Sequence, residues 1–221
     1  MQLEALIFDL DGTLVDTAPD LMAATNHTMK RAGRAEISEA QLRAFVGHGS
    51  MALIKLGLET SGPLPDEAEL QRLQTDFLDY YGANIAAHSK VFDGVVPLLE
   101  KAKAAGLKMG VCTNKVERLS NKLLIEIGLA DYFGAVVGGD TLSVMKPNVE
   151  PYLEVARRLG IDPAATLMFG DSETDIRTAQ NVGVSVIAVS FGYTNAHVST
   201  FAPTYVIDHY DEAWSLVKPF V

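Results

Sequence analysis

Asp9 and Asp11 stand two residues apart in Phe8-Asp9-Leu10-Asp11-Gly12-Thr13, at the end of an apolar run. On an extended strand end, positions i and i+2 share a side, so both carboxylates face one space. One can attack phosphorus, forming an acyl phosphate that divides a displacement into two steps. The other can protonate a leaving alkoxide and later deprotonate water. Gly12 permits the tight turn that aims both groups. The bland alternative for the segment is an Asp-Gly turn or a helix cap.

Three later segments supply what such a reaction lacks. Thr113-Asn114-Lys115 offers a hydroxyl and backbone N–H groups for a phosphate oxygen, although Thr-Asn also suits a helix N-cap. Lys146-Pro147 offers a cation to balance phosphate and nucleophile. In isolation it reads as a solvated surface lysine. Gly170-Asp171-Ser172-Glu173-Thr174-Asp175 is an acidic cluster, and Mg²⁺ takes one or two carboxylates with water and phosphate oxygens. An anionic nucleophile and an anionic phosphate repel one another, which calls for a divalent cation. The same acids also suit the first turn of a helix, where the dipole favours them.

The surrounding pattern predicts how these segments meet. A strand is expected over 5–10, whose residues 5–8 are apolar at consecutive positions, as in a strand buried on both faces. Asp16 to Asp20 reads as a helix start, and residues 20–88 hold no strand pattern. Ser38 with Gln41 forms a capping box opening a helix through Phe45 and Val46. Gly47-His48-Gly49 breaks it, a third helix runs over 50–60, and an amphipathic helix over 66–86 carries Leu70, Leu73, Phe77, Leu78 and Tyr81 on one side. From residue 91 strands (107–113, 135–138, 166–169, 184–189, 205–207) alternate with helices (94–105, 116–127, 149–159, 174–182, 211–217). Alternation implies a parallel sheet with right-handed crossovers. The fold class is therefore α/β, a Rossmann-like parallel core with an inserted all-helical domain. The boundaries are 1–15 and 91–221 for the core and 16–90 for the insert. Carboxyl ends of parallel strands gather at one edge, so the four segments converge there.

Composition narrows the partners. The chain has 221 residues, 48% of them hydrophobic, and a formal net charge of −10. An acidic surface repels phosphate backbones and anionic membranes, so neither nucleic acid nor a membrane is an expected partner. No apolar stretch is long enough to span a bilayer, and the N-terminus has no basic region of the kind a signal peptide carries. The single cysteine, Cys112, lies in an apolar run, reads as buried packing, and suits a reducing cytoplasm.

The four segments, their order and the helical insert behind the first resemble the haloacid dehalogenase superfamily of aspartate-nucleophile phosphatases. Residues 8–21 and Thr113-Asn114-Lys115 resemble its phosphoglycolate phosphatase group. The resemblance implies a mobile helical cap and hydrolysis of a small phosphomonoester, 2-phosphoglycolate being the best single substrate. It makes Asp9 nucleophile and Mg²⁺ ligand, and Asp11 general acid/base with a metal-binding carbonyl. Thr113 and Asn114 would hold the phosphoryl group, Lys146 would balance its charge, Asp171 would bind Mg²⁺, and Asp175 would act beside it, directly or through water. His48, in the Gly47-His48-Gly49 loop, is the cap histidine expected to meet substrate. The group's Lys-Pro-x-Pro-x-Pro run lacks its middle proline here, where Val149 stands. A monomer or homodimer is expected. The rivals are a sugar phosphomutase, which would return the phosphoryl group to a second hydroxyl, and a non-enzymatic binding protein on the same fold.

Overall fold

A central strand, β1 (Ala5–Phe8), organises a six-stranded sheet in a computed structural model that describes residues 2–43, 45–194 and 196–221. Every side chain of β1 is buried. Ala5 and Ile7 face one core cluster, while Leu6 and Phe8 face the other, as the period of two requires. The further sheet strands are β4 (Lys108–Cys112), β5 (Ala135–Val137), β6 (Thr166–Gly170), β7 (Ser185–Val189) and β8 (Tyr205–Ile207). Their order is β5-β4-β1-β6-β7-β8, and all pairs are parallel. The chain builds outward from β1 to both sides. The order therefore reverses at β1, and its carboxyl end is the crevice where such sheets bind ligands.

The connecting helices match the alternation: α5 (Val95–Ala104), α6 (Glu117–Glu126), α7 (Glu150–Leu159), α8 (Glu173–Val182) and α9 (Ala213–Val217). The last is shorter than the 211–217 expected, because residues 210–212 form a separate 3₁₀ turn. Cys112 is fully buried, and burial pushes its thiol up to about 12.

Between β1 and α5 come four helices: α1 (Ala18–Arg31), α2 (Glu39–Arg43), α3 (Ser50–Glu59) and α4 (Glu67–Ala83). Helix α1 packs on the other three, and α3 also packs on α4. The capping box at Ser38 is present, with the Gln41 N–H donating to Ser38 Oγ (3.4 Å) and the Ser38 N–H to Gln41 Oε1 (2.9 Å). Helix α2 nevertheless ends at Arg43, short of the expected Phe45 and Val46; Ala44 lies outside the described residues. The amphipathic helix also closes early, at Ala83.

A two-stranded antiparallel ribbon, β2 (Val15–Asp16) with β3 (Lys90–Val91), joins the two ends of the helical block where the chain leaves and re-enters the sheet layer. Sequence patterning does not find it, since two-residue strands show no period. Asp20, buried in the first turn of α1, reinforces the junction. Its carboxylate accepts from the His88 N–H (3.0 Å), the Ser89 N–H (2.8 Å) and the Ser89 hydroxyl (2.7 Å). A buried carboxylate is tolerated when its lone pairs are met in this way.

Candidate active site

Asp9 follows β1, Thr113 follows β4 and Asp171 follows β6, so three neighbouring strands end in functional side chains at one edge. All three residues are buried. The Lys146 ammonium lies 2.9 Å from Asp9 Oδ1 and 2.5 Å from Asp175 Oδ1. Burial alone would lower its pKa. Asp175 and Asp9 more than offset that, and the ammonium titrates above its ordinary range. A lysine readable as a surface residue is thus a buried cation between two carboxylates.

Asp9 Oδ1 is buried and accepts no hydrogen bond. The Lys146 ammonium is within ion-pair distance, but off the line that would make it a donor. Burial is the main cause that raises the Asp9 carboxyl to about 6, with Lys146 opposing it and Asp175 adding to it. The group therefore remains mostly ionised at neutral pH. Burial also raises Asp171 well above the usual carboxylate range, helped by Asp175 and Asp9.

The donor set fits a hard divalent cation. Carboxylate oxygens of Asp9, Asp171 and Asp175 lie within 4.8 Å of one another. Of these three buried carboxylates Asp9 and Asp175 pair with Lys146, and the unbonded Asp9 oxygen lies among them. Oxygen-only donors of this kind suit Mg²⁺. The three acids are not equally free. Asp175 Oδ2 accepts from the Asp171 N–H (3.2 Å), the Ser172 N–H (3.1 Å) and the Ser172 hydroxyl (2.6 Å), while its Oδ1 meets Lys146. It caps α8 and orients Lys146, which favours action through water over direct ligation. Among the described residues Asp171 accepts one contact per oxygen, from Thr13 Oγ1 (3.0 Å) and from the Tyr193 N–H (2.6 Å).

The backbone is moulded to Asp171. Gly12 has φ +82°, and a Cβ there would sit 2.5 Å from Asp171 Oδ2. A Cβ on Gly192 would sit 2.2 Å from the Asp171 Cβ. Both positions exclude a side chain by contact, and Gly12 does so by conformation as well. Tyr193 extends the link: its hydroxyl bonds Asp16 Oδ1 in β2 and accepts from the Ala18 N–H (3.0 Å).

Asp11 accepts from Thr17 Oγ1 (2.8 Å) and from the ammonium of Lys115 (2.9 and 3.2 Å). Lys115 in turn donates to the Tyr81 hydroxyl (2.6 Å) and lies 4.3 Å from that ring's centroid. Sequence reading quotes Lys115 in its motif but gives it no role. Its partners are 104 and 34 residues away, and nothing local signals them.

The Asn114 side chain is committed within the protein. Its two amide protons go to the carbonyls of Gly47 (3.0 Å) and Lys146 (3.2 Å), and its Oδ1 accepts from the Lys146 N–H (3.0 Å). No side-chain donor is left for a phosphoryl group, so Asn114 pins the Lys146 loop and the helical block. Thr113, by contrast, shares an inner cavity of about 40 Å³ with Asp9, Asp11 and Lys115. The helical block walls it with Val46, Leu53, Phe77, Leu78 and Tyr81. His48 lines a separate outer cleft of about 550 Å³ with Asn114, Lys146 and Ser172. Its neighbours Gly47 and Gly49 are the loop residues that line the inner cavity.

Residues 6–189 match the family described as haloacid dehalogenase-like hydrolase. A phosphoglycolate phosphatase of Mesorhizobium japonicum is 42% identical over 206 residues, covering 93% of this chain and 91% of that protein. The crystal structure of a predicted phosphoglycolate phosphatase from Haemophilus somnus superposes with a TM-score of 0.92 at 28% identity, covering 98% of both chains. The β-phosphoglucomutase of Clostridium difficile superposes with a TM-score of 0.83, covering 99% of this chain and 96% of that one, but at 20% identity it shares the fold alone.

Proposed function

The chain belongs to the haloacid dehalogenase-like hydrolase family, and from that premise we propose that it hydrolyses 2-phosphoglycolate to glycolate and phosphate through a phospho-Asp9 intermediate. The observation that carries the chemistry is Asp9 Oδ1: a buried carboxylate oxygen without a hydrogen bond, 2.9 Å from a buried ammonium and inside a cluster of acids. A phosphatase of this family at 42% identity supports the substrate. In this reading the leaving group faces the inner cavity lined by Asp9, Asp11, Thr113 and Tyr81.

In the proposed reaction Asp9 attacks phosphorus as Asp11, protonated, gives its proton to the leaving oxygen. The products of this step are the Asp9 acyl phosphate, glycolate and ionised Asp11. Asp11 then takes a proton from water, the water oxygen attacks phosphorus, and the P–O bond to Asp9 breaks to release phosphate. Lys146 balances charge on the phosphoryl group and Asp9. Thr113 contacts a phosphoryl oxygen. Asp9, Asp171 and the Asp11 carbonyl would hold Mg²⁺, with Asp175 behind them, and the ion would neutralise the phosphate's negative charge as the nucleophile approaches. Residues 16–90 act as a cap on a core of 1–15 and 91–221, closing to exclude water. His48 meets incoming substrate at the outer cleft. The enzyme works in the cytoplasm, as a monomer or homodimer.

Phosphate release from 2-phosphoglycolate is the test, with and without Mg²⁺, beside a panel of phosphomonoesters and a sugar-phosphate isomerisation assay. The proposal expects Mg²⁺-dependent release that Asp9→Asn lowers by at least about 10⁴-fold. Turnover by Asp9→Asn near that of the natural enzyme would sink it. Sugar-phosphate isomerisation without phosphate release would favour a phosphomutase, and silence across the whole panel would favour a binding protein.

A further inference from the structure

Lys115 stands out as a buried cation that the reaction sequence above does not use. Its side chain is 5% exposed, and among the described residues its carboxylate partner is Asp11. The residue lies at the turn between β4 and α6 and aims into the cavity under the helical block. Its ammonium meets three oxygens from two groups, Asp11 and Tyr81. The rest of the wall toward α3 and α4 is Leu53, Phe77 and Leu78, with Ser50 as its one further polar side chain among the described residues. Among the described residues lining this cavity, Lys115 is the only cation. Lys146, the other buried lysine at the site, pairs with Asp9 and Asp175 and is not among the residues lining this cavity.

We propose that Lys115 is the receptor for the carboxylate of the substrate, and so the residue that selects a phosphorylated hydroxy acid over a neutral phosphate ester. The inference rests on the proposed reading of Asp11 as the acid that faces the leaving oxygen. If the leaving oxygen sits against Asp11, then Lys115, 2.9 and 3.2 Å from the two Asp11 oxygens, is beside whatever that oxygen carries. In a 2-phosphorylated hydroxy acid the carboxylate begins two bonds away, so its oxygens lie about 3 Å from the leaving oxygen. A carboxylate in that place is within direct reach of the ammonium. A hydroxyl or methyl group there would leave the ammonium with Asp11 alone.

Charge favours the same assignment. The site gathers Asp9, Asp11, Asp171 and Asp175 against Lys115 and Lys146. A further carboxylate entering an apolar cavity needs a cation at short range, since an unpaired buried charge is costly. Tyr81 completes the receptor from the helical block. It holds the ammonium by its hydroxyl and its ring face, so the cation is in place when α4 covers the cavity. Asp11 thus has a second task, holding the receptor lysine in position before substrate arrives.

The experiment compares kcat/KM for 2-phosphoglycolate and 2-hydroxyethyl phosphate, which differ in the carboxylate, in the natural enzyme and in Lys115→Met. Burying an unmatched polar group is the strong form of discrimination, so the natural enzyme is expected to prefer 2-phosphoglycolate by about 10²-fold or more. In Lys115→Met the preference should fall to within a few-fold, with most of the loss on 2-phosphoglycolate. A lysine that only orients Asp11 would lower both substrates by one factor and leave the ratio intact, and that result overturns the proposal. Release from other esters but not from 2-phosphoglycolate by the natural enzyme would overturn the substrate reading and the receptor together. An unchanged ratio with active natural enzyme overturns the receptor alone. Should Lys115→Met fail to fold, inhibition of the natural enzyme decides: glycolate should compete with substrate while ethylene glycol at equal concentration should not. Equal inhibition by the two overturns the proposal.

Discussion

Replacing Asp9 by Asn should abolish turnover and, in metal-free protein at neutral pH, raise stability. Burial holds the Asp9 carboxyl near 6 in the fold against 3.8 ordinarily. A carboxyl raised by about 2 units costs the ionised fold about 3 kcal/mol at neutral pH. The sign follows from proton linkage. A group whose folded pKa lies above its unfolded one supports the fold fully below 3.8 and loses that support as pH rises through about 6. Above that pH the natural protein carries the whole penalty and the amide carries none. Part of the gain is offset, because Lys146 loses one of its two carboxylate partners and retains Asp175. A net gain of about 1–2 kcal/mol remains, or about 3–6 °C in Tm for a chain of this size. Thermal melts by circular dichroism in EDTA, at pH 7.5 and pH 4.5, read this directly. The variant should melt higher at pH 7.5, and the gap should narrow at pH 4.5. Adding Mg²⁺ at pH 7.5 should raise the natural protein's Tm more than the variant's. A variant that melts at or below the natural protein at pH 7.5, or a gap that does not narrow with acid, would refute the reasoning.

Asp171→Asn should raise the Mg²⁺ concentration for half-maximal activity by at least about 10²-fold, since even partners behind the ligands are worth 10–100-fold; a Mg²⁺ titration of phosphate release checks it. Gly12→Ala should cost about 2 kcal/mol or more, read from urea unfolding, because the new Cβ must adopt φ +82° and would sit 2.5 Å from Asp171 Oδ2. Cys112, buried and with its thiol pushed up to about 12, should resist iodoacetamide at pH 8 in folded protein and react once urea unfolds the chain; mass spectrometry distinguishes the two states.

Strand ends were the most legible part of the chain, and the reason is topological. A parallel sheet gathers the carboxyl ends of its strands at one edge whatever lies between them. Asp9, Thr113 and Asp171 could therefore be brought together from sequence positions more than fifty residues apart. Element bounds shifted by one to three residues, by one at the Asp66 cap before α4 and by three at that helix's end. The short ribbon of Val15–Asp16 with Lys90–Val91 stayed hidden because its strands are shorter than any period that could mark them. Roles that depend on where a side chain's hydrogen bonds go were also hidden. Asn114 matches a motif, yet both its amide protons are taken by Gly47 and Lys146.

Lys115 and Tyr81 show the deeper limit. Tyr81 lies on the apolar side of α4, and helical spacing assigns it to the core. It is fully buried, as that spacing requires. The same spacing says nothing of its hydroxyl, which meets a lysine from the β4–α6 turn beside Asp11. Periodicity tells which face of an element is buried, and a motif tells which atoms can react. Neither tells which buried face closes over which reacting atom, because that depends on how two separately folded layers dock. Substrate choice is made at that docking surface. The chemistry at Asp9 is therefore readable along the chain, while selection at Lys115 emerges only when the helical block and the sheet are seen together.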